Sequence, residues 1–429
     1  MADRPLDFNI LIVGGGPAGM AAASAAAGAG TVGIVDDNPN LGGQIWRGQS
    51  FAVEQKNAAA AMYRRVQQAG VTHLPRLRVL DAPRPGILLA ESEAGSYELR
   101  YRKLVLATGA RERFLPFPGW TLRNVMGAGG LQAMVKSGLP IPGKRVVVAG
   151  SGPLLLAVAA YLYEQGAQVV SICEQSPFAR LAKFSFGLLG DPRRLAQGVG
   201  YRMQLRHTPY RAGWWPIAAR GTRYIESVVL SDGHRTQEVP CDYLACGFHL
   251  VPNIELPALL GCELLHGFVR VDEQQQTSVS GIYCAGEPTG IGGLEQAILE
   301  GEIAGLVCSG RTEALRPLLQ KKKKFGKFAD RLARAFALRP ELRGLANAET
   351  ILCRCEDVSF GDVRKHSSWR AAKLHTRCGM GPCQGRICGA ATEFLFGWNA
   401  DSVRPPIFPM RFGTMVGRGC TQENKLQER

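Results

Sequence analysis

The spacing of apolar positions divides the chain into strands and helices before any motif is considered. Residues 9–13 (NILIV) are a short apolar run that predicts a buried strand. Gly14-Gly15-Gly16-Pro17-Ala18-Gly19 follows, and the Ala-rich stretch after it predicts a helix to about Ala29. A second apolar run, 31–35, predicts a strand ending at Asp36-Asp37. These segments make one βαβ unit. An amphipathic pattern over 54–69 predicts a helix, and short strands are expected near 71–80, 86–91 and 97–101. Leu104-Val105-Leu106-Ala107 predicts a buried strand ending in Thr108-Gly109.

A second βαβ unit begins at Arg145. Its strand covers 146–149, its turn is Gly150-Ser151-Gly152, its helix covers 154–165, and its next strand, 169–173, ends at Glu174. Strands near 224–230 and 243–245 close this region. A later apolar strand, 281–285, ends at Gly286-Glu287, and a helix is expected over 294–307. A cysteine-rich module spans about 349–398, and a Pro-rich tail at Arg404-Pro405-Pro406 is expected to wrap a neighbouring surface.

Composition narrows the class. The chain has 429 residues, 46% of them apolar and 20% charged, which suits a globular enzyme of two or three domains. The uncharged stretch 17–35 is broken by Gly28, Gly30 and Gly33, so it reads as helix, turn and strand rather than a membrane span. No secretory signal is recognised at the start, where Asp3 and Asp7 stand in place of a basic region. A cytoplasmic protein is therefore expected, associated with a membrane at most peripherally through partners. Twelve cysteines in a reducing compartment suggest metal ligands more than disulfides. The net charge of +15 is concentrated in 311–343, which contains Lys321 to Lys324. This stretch reads as a solvated basic helix between domains, or as a docking face for an acidic partner. Few aromatics interleave with it and no recognition motif accompanies it, so nucleic-acid binding is not expected.

The first glycine run carries nucleotide chemistry. Gly14-x-Gly16-x-x-Gly19 follows a strand, opens a helix and has an acid after the next strand, the context of a dinucleotide site. Gly14 permits the tight turn, Gly16 admits the pyrophosphate, and Gly19 lets helix and strand approach closely. Pro17 and Ala18 open the helix whose free N–H groups face the phosphates. Asp36, with Asp37 beside it, is placed to accept from ribose hydroxyls. The second run, Gly150-x-Gly152-Pro153-Leu154-Leu155, lacks the third glycine; Leu155 should push the helix off the strand or crowd a pyrophosphate. Glu174 is placed for a ribose, and no Arg follows it to hold a 2′-phosphate. A working NAD site, a vestigial one and a site for a non-redox adenine nucleotide all stay open.

Further segments give the chain a resemblance. Gly14 to Gly19, Asp36, Leu41-Gly42-Gly43-Gln44, Ala107-Thr108-Gly109 and Ala285-Gly286-Glu287 resemble the two-dinucleotide-binding flavoproteins, the glutathione- and thioredoxin-reductase-like oxidoreductases. The resemblance implies FAD at the first site, contacted by these segments. The last acid, usually Asp in the family, is Glu287 here. Gly292-Gly293, opening a helix, would present N–H groups to the flavin ring. The redox disulfide of such reductases is missing, because no cysteine precedes Cys173 and no C-x-x-C occurs in the second region.

Cys353-Arg354-Cys355 and the run Cys378-Gly379-Met380-Gly381-Pro382-Cys383-Gln384-Gly385-Arg386-Ile387-Cys388 resemble the small [2Fe–2S] domain of the bacterioferritin-associated ferredoxin type. That resemblance implies Cys353, Cys355, Cys383 and Cys388 as ligands and leaves out Cys378. Zinc, or unligated reduced cysteines, are the alternatives.

The expected fold is α/β: a two-dinucleotide-binding-domain flavoprotein, with a Rossmann-like FAD domain, an inserted NAD-like domain and a small helical C-terminal [2Fe–2S] domain. The expected boundaries are 1–112 and 249–312 for the FAD domain, 113–248 for the insert, 313–348 for a basic helical linker, 349–398 for the cluster domain and 399–429 for the tail.

This order of domains resembles the α (A) subunits of heteromeric amine dehydrogenases, such as D-hydroxyproline dehydrogenase, dye-linked proline dehydrogenase, opine oxidase and hydrogen cyanide synthase. Gly42-Gly43-Gln44-Ile45-Trp46-Arg47, Gly286 to Gly293 and Cys353 to Val358 carry the match. The resemblance implies an electron-transfer subunit that works beside a flavin-bearing β subunit of the D-amino-acid-oxidase-like class. Its further partners would be an electron acceptor other than oxygen and a small third subunit. The resemblance extends the cofactors to a second nucleotide, or FMN, where subunits meet. No catalytic acid–base set is recognised in this chain. The rival readings are an autonomous NADH-dependent flavin reductase with an iron–sulfur domain, and a non-catalytic scaffold subunit.

Overall fold

The structure, a computed structural model, describes residues 5–48, 57–398 and 403–416. The chain forms two compact units. The first draws on 1–111, 252–329 and 402–429, and the second on 112–251 and 330–401.

The first unit is built on one sheet. Its strands are β1 (Leu6–Val13), β2 (Val32–Val35), β3 (Thr72–Leu74), β4 (Arg78–Arg84), β5 (Ile87–Ser92) and β6 (Gly95–Leu106), in the order β3-β2-β1-β6-β5-β4, with Ile282–Cys284 also on β6. The two strands expected over 97–101 and 104–107 are thus one strand. β1 runs parallel to β2 and β6, with Val13 opposite both Val35 and Leu106, and Cys284 is opposite Leu106. This register brings the chain segments after four strands to one edge: Gly14, Asp36, Ala107 and Ala285. The carboxyl edge of such a sheet is where ligands bind in α/β folds.

The first helix, Pro17–Ala25, is shorter than expected and packs against Leu294–Cys308. Small residues set their separation. A Cβ on Gly301 would lie 2.1 Å from the Ala18 carbonyl oxygen, and one on Gly305 2.2 Å from that of Ala22. The next helix is Ala58–Gln68, capped by the Asn57 side chain; residues 54–56 of the expected helix lie outside the described residues.

The basic stretch forms a helix, Leu315–Ala335. Its lysines are not equally solvated. Lys322 is half-buried and donates to the carbonyls of Asp272 and Glu273 and to Gln275 Oε1 at 3.1–3.3 Å, whereas Lys321 and Lys324 are exposed. The Pro-rich tail folds onto the edge of its own sheet: Ile407 is buried there and its N–H donates to the Leu80 carbonyl at 2.9 Å.

The second unit holds a parallel sheet of Tyr210–Ala212, Gln168–Glu174, Arg145–Ser151, Tyr243–Phe248 and Val125–Met126, in that order, and a three-stranded antiparallel sheet, Trp215–Arg220, Ser227–Ser231 and Thr236–Pro240. The strand expected from Tyr224 starts at Ser227. Two helices, Phe178–Gly187 and Pro192–Gln204, were not expected; both are amphipathic, yet neither buries a residue. The cysteine module packs within this unit. Trp120 Nε1 donates to the Ile351 carbonyl at 2.6 Å, and Arg113 pairs with Glu393 at 3.1 Å. Among the described residues, no helix is long and apolar enough to cross a membrane.

Candidate functional site

In the first glycine turn each glycine has a different neighbour. Gly14 has φ +108°, and a Cβ on it would lie 2.2 Å from the Ala107 carbonyl oxygen. A Cβ on Gly19 would lie 1.8 Å from the Gly14 carbonyl oxygen. Both glycines are therefore required by the protein's own packing. Gly16 differs: a Cβ there would meet nothing nearer than the Gly43 Cα at 3.9 Å. The space beside Gly16 is open, at the N-terminus of a helix with Pro17 in its first turn.

Other segments gather around this turn. The Asp36 carboxylate accepts from the Gly15 N–H, and also from Asn38 N at 2.7 Å and Asn38 Nδ2 at 2.8 Å. A carboxylate offers about four lone-pair positions, so it keeps room for a ribose hydroxyl. Asp37 is exposed and lies 3.5 Å from Arg78. Gly42 N donates to the Gly15 carbonyl at 2.7 Å, which sets Gly43 against Gly16, while Gln44 is exposed. Thr108 Oγ1 donates to the Asn253 carbonyl at 2.7 Å, Asn253 Nδ2 returns a bond to the Thr108 carbonyl at 2.8 Å, and Asn253 N donates to Gly109.

Glu287 lies beside the same turn, since a Cβ on neighbouring Gly286 would meet the Ala18 Cβ at 3.0 Å. Glu287 Oε1 accepts from Gly293 N at 3.1 Å. Burial pushes its carboxyl up to about 7. Among the described residues, Glu287 Oε2 and Arg47 Nε are buried polar atoms with no hydrogen-bond partner. An open cradle at Gly16, a helix N-terminus, a ribose-type acid and unsatisfied polar atoms nearby are what a flavin dinucleotide would use, so these residues fit the group.

The second glycine turn is occupied by the chain's own groups at Ser151, Glu174 and Gln175. A Cβ on Gly150 would lie 1.8 Å from the Gly247 carbonyl oxygen, whereas Gly152 has open space. Pro153 precedes the helix Leu154–Glu164, and Leu154 is partly exposed. Leu155 is buried in the apolar layer between helix and sheet. Glu174, expected at a ribose, is fully buried, and its two oxygens accept from Gly152 N at 2.7 Å and Ser176 N at 2.8 Å. Burial lifts its carboxyl to about 7. The chain's own segment after the basic helix lies against this turn. Ser151 Oγ donates to the Phe336 carbonyl at 3.0 Å, Gln175 Nε2 donates to the Ala337 carbonyl at 3.3 Å, and Arg339 N donates to Gln175 Oε1 at 3.2 Å. Sequence reasoning missed this closure, which joins residues about 160 or more apart with no local signal.

It also missed Glu112. This half-buried carboxylate accepts from Gly129 N at 2.8 Å and Gly130 N at 3.0 Å in the first turn of the helix Ala128–Lys136, and desolvation raises its pKa.

The cysteine module holds five cysteines in two groups, a buried triad and a pair. Cys353 ends a short strand, and Cys388 opens the helix Cys388–Phe396. The sulfurs of Cys353, Cys378 and Cys388, all buried, lie within 4.8 Å of one another. Cys355 is exposed and Cys383 half-buried, and their side chains hydrogen-bond to each other. The expected ligand set left out Cys378; its sulfur is inside the group. Thiols of Cys378 and Cys388 donating to Cys353 hold it well below the ordinary thiol range. Gly379 N–H also donates to Cys353 Sγ at 3.4 Å. The glycines around Cys383 are there for space. A Cβ on Gly379 would lie 2.6 Å from the Trp369 ring, and one on Gly381 2.3 Å from the Cys355 Cβ. Four or more clustered thiols suit an iron–sulfur cluster, so this donor set fits one. Cys173, Cys246, Cys284 and Cys308 are buried in apolar surroundings elsewhere.

Comparison with known proteins agrees with this architecture. The profile of the family described as pyridine nucleotide-disulphide oxidoreductase matches residues 8–301. The chain is 34% identical to the hydrogen cyanide synthase subunit HcnB of Pseudomonas aeruginosa, over 96% of this chain and 99% of that one. It is 31% identical to an opine oxidase subunit of Agrobacterium tumefaciens, over 95% of this chain and 91% of that one. Among solved structures, L-proline dehydrogenase from P. horikoshii matches with a TM-score of 0.66 at 20% identity, covering 96% of this chain and 80% of that one. At that identity the match speaks for the fold alone.

Proposed function

The chain belongs to the pyridine nucleotide-disulphide oxidoreductase family, and from that premise we propose that it is the electron-transfer subunit of a heteromeric FAD/[2Fe–2S] dehydrogenase. Its partner β subunit oxidises a secondary amine or amino acid of the opine, D-hydroxyproline or proline type. Electrons then leave through this chain to an acceptor other than oxygen. The observation that carries the reading is a buried triad of cysteine sulfurs, with the Cys355–Cys383 pair in the same module, in a chain that has no cysteine before Cys173 and so no redox pair beside its flavin-type turn. A disulfide reductase needs the reverse arrangement. Two of the relatives above are themselves named as subunits, which supports a partner chain.

The proposed roles follow from position. Gly16 and the helix start at Pro17 and Ala18 hold a pyrophosphate on a turn shaped by Gly14 and Gly19, Asp36 holds a ribose, and Gly43, Ala107 to Gly109, Glu287 and Gly293 hold the rest of the dinucleotide. Glu287, nearly buried and with one unsatisfied oxygen, is placed to accept a hydroxyl or hold a proton there. The clustered cysteines of the module would hold iron. When both are bound, a flavin exchanges one or two electrons and a [2Fe–2S] cluster exchanges one, so a two-electron oxidation can be divided into single steps. The enclosure of Ser151, Glu174 and Gln175 supports a second nucleotide fold that takes no pyridine nucleotide.

The test is amine-dependent dye reduction. The chain purified alone should give none with proline, D-hydroxyproline or an opine, and turnover should appear on co-expression with a flavin-bearing β subunit. Robust turnover by the chain alone would make it a self-sufficient dehydrogenase. Rapid bleaching of its flavin by NADH alone would favour the autonomous reductase.

A further inference from the structure

We propose that Cys378 is a reserve iron ligand, exchangeable with Cys388 at the buried iron of the cluster. The inference rests on the iron–sulfur reading above and goes beyond its four-ligand set.

A [2Fe–2S] unit takes four thiolates, two at each iron. The module supplies five sulfurs, and they fall into two groups. Cys355 and Cys383 touch each other near the surface. Cys353, Cys378 and Cys388 are buried and mutually within 4.8 Å. Two thiolates on one tetrahedral metal sit about 3.8 Å apart at metal–sulfur bonds of about 2.3 Å. Any two of the three buried sulfurs are therefore within reach of one iron after small side-chain adjustments. With the outer pair assigned to one iron, three sulfurs compete for two positions on the other.

Cys353 is the fixed member. It lies on a strand and receives the Gly379 N–H, whereas contact with the other two sulfurs is common to all three. Cys378 and Cys388 are then the alternates. The core cysteines elsewhere in the chain are in no such sulfur group. The exchange is redox-neutral: the iron bond to Cys388 breaks, one to Cys378 forms, and the proton of the incoming thiol passes to the outgoing thiolate. The two ligations are not equivalent. Cys388 opens a helix, where the dipole favours negative charge, and Cys378 lies in a loop, so the reduced cluster should differ between them.

The test uses the full chain, prepared anaerobically, as Cys378→Ala, Cys388→Ala and the double variant. Iron content, zinc content and the electron paramagnetic resonance of the dithionite-reduced protein are read, with flavin occupancy as the folding control. Both single variants should keep about two irons per chain. Their g values should differ from each other. The double variant should lose at least half its iron while keeping its flavin. Loss of iron in Cys388→Ala alone, with flavin retained, overturns the exchange and leaves the four-ligand cluster standing. Retention of full iron in the double variant also overturns it. Zinc, or no iron, in the unmodified chain overturns the cluster reading itself, and the exchange with it.

Discussion

The Glu174 carboxylate accepts the Gly152 N–H at 2.7 Å, so the acid of the second nucleotide fold is turned onto its own glycine turn. This carboxylate is buried with no cation among its bonding partners, which raises its pKa from 4.5 to about 7. The folded state therefore holds a proton more tightly than the unfolded state does. The stability this contributes is fully present below about pH 4.5 and is lost as pH rises through 7, by about 3 kcal/mol in all. Glu174→Gln should flatten the melting temperature over that window. Glu287, raised to a similar value, should leave a residual slope. Equal slopes in variant and parent, by calorimetry from pH 4.5 to 8, would show that Glu174 titrates normally.

Gly16 and Gly19 should separate binding from folding. Gly16→Val places its side chain in open space and should fold with a melting temperature close to the parent's while losing FAD. Gly19→Val drives its side chain into the Gly14 carbonyl and should lose both. Asp36→Ala should weaken flavin by about 1–3 kcal/mol. Flavin release on denaturation and thermal melts report the two effects. A Gly16→Val protein with full flavin would move the site elsewhere.

The cysteine loop gives a steric prediction. Gly381→Ala must displace the Cys355 Cβ, so iron content should fall although no sulfur is removed. Cys383→Ser should lower iron more strongly. Full iron in both variants, by metal analysis, would take Cys355 and Cys383 out of the ligand set.

Within the basic helix, Lys322 should be structural and its neighbours should not. Its ammonium donates to two carbonyls and an amide oxygen. Lys322→Ala should cost about 1–3 kcal/mol. Lys321→Ala and Lys324→Ala, at exposed positions, should change little. Chemical denaturation distinguishes them, and equal effects at the three positions would contradict this division.

The sequence by itself determined the two βαβ units and the dinucleotide character of the first turn. Those signals are local: an apolar run that must be buried, glycines at Gly14, Gly16 and Gly19, and an acid one strand later. The presence of a thiol module was equally plain in the spacing of Cys353, Cys355, Cys383 and Cys388. Tertiary structure alone decided which glycines serve packing and which leave room for a ligand, because Gly16 and Gly19 read alike until the Gly14 carbonyl is in place. Only the fold brought Phe336 and Ala337 onto Ser151 and Gln175, and only the fold placed the Cys378 sulfur beside those of Cys353 and Cys388. A side chain's burial and partners come from residues far away in sequence, and no periodicity along the chain encodes that distance.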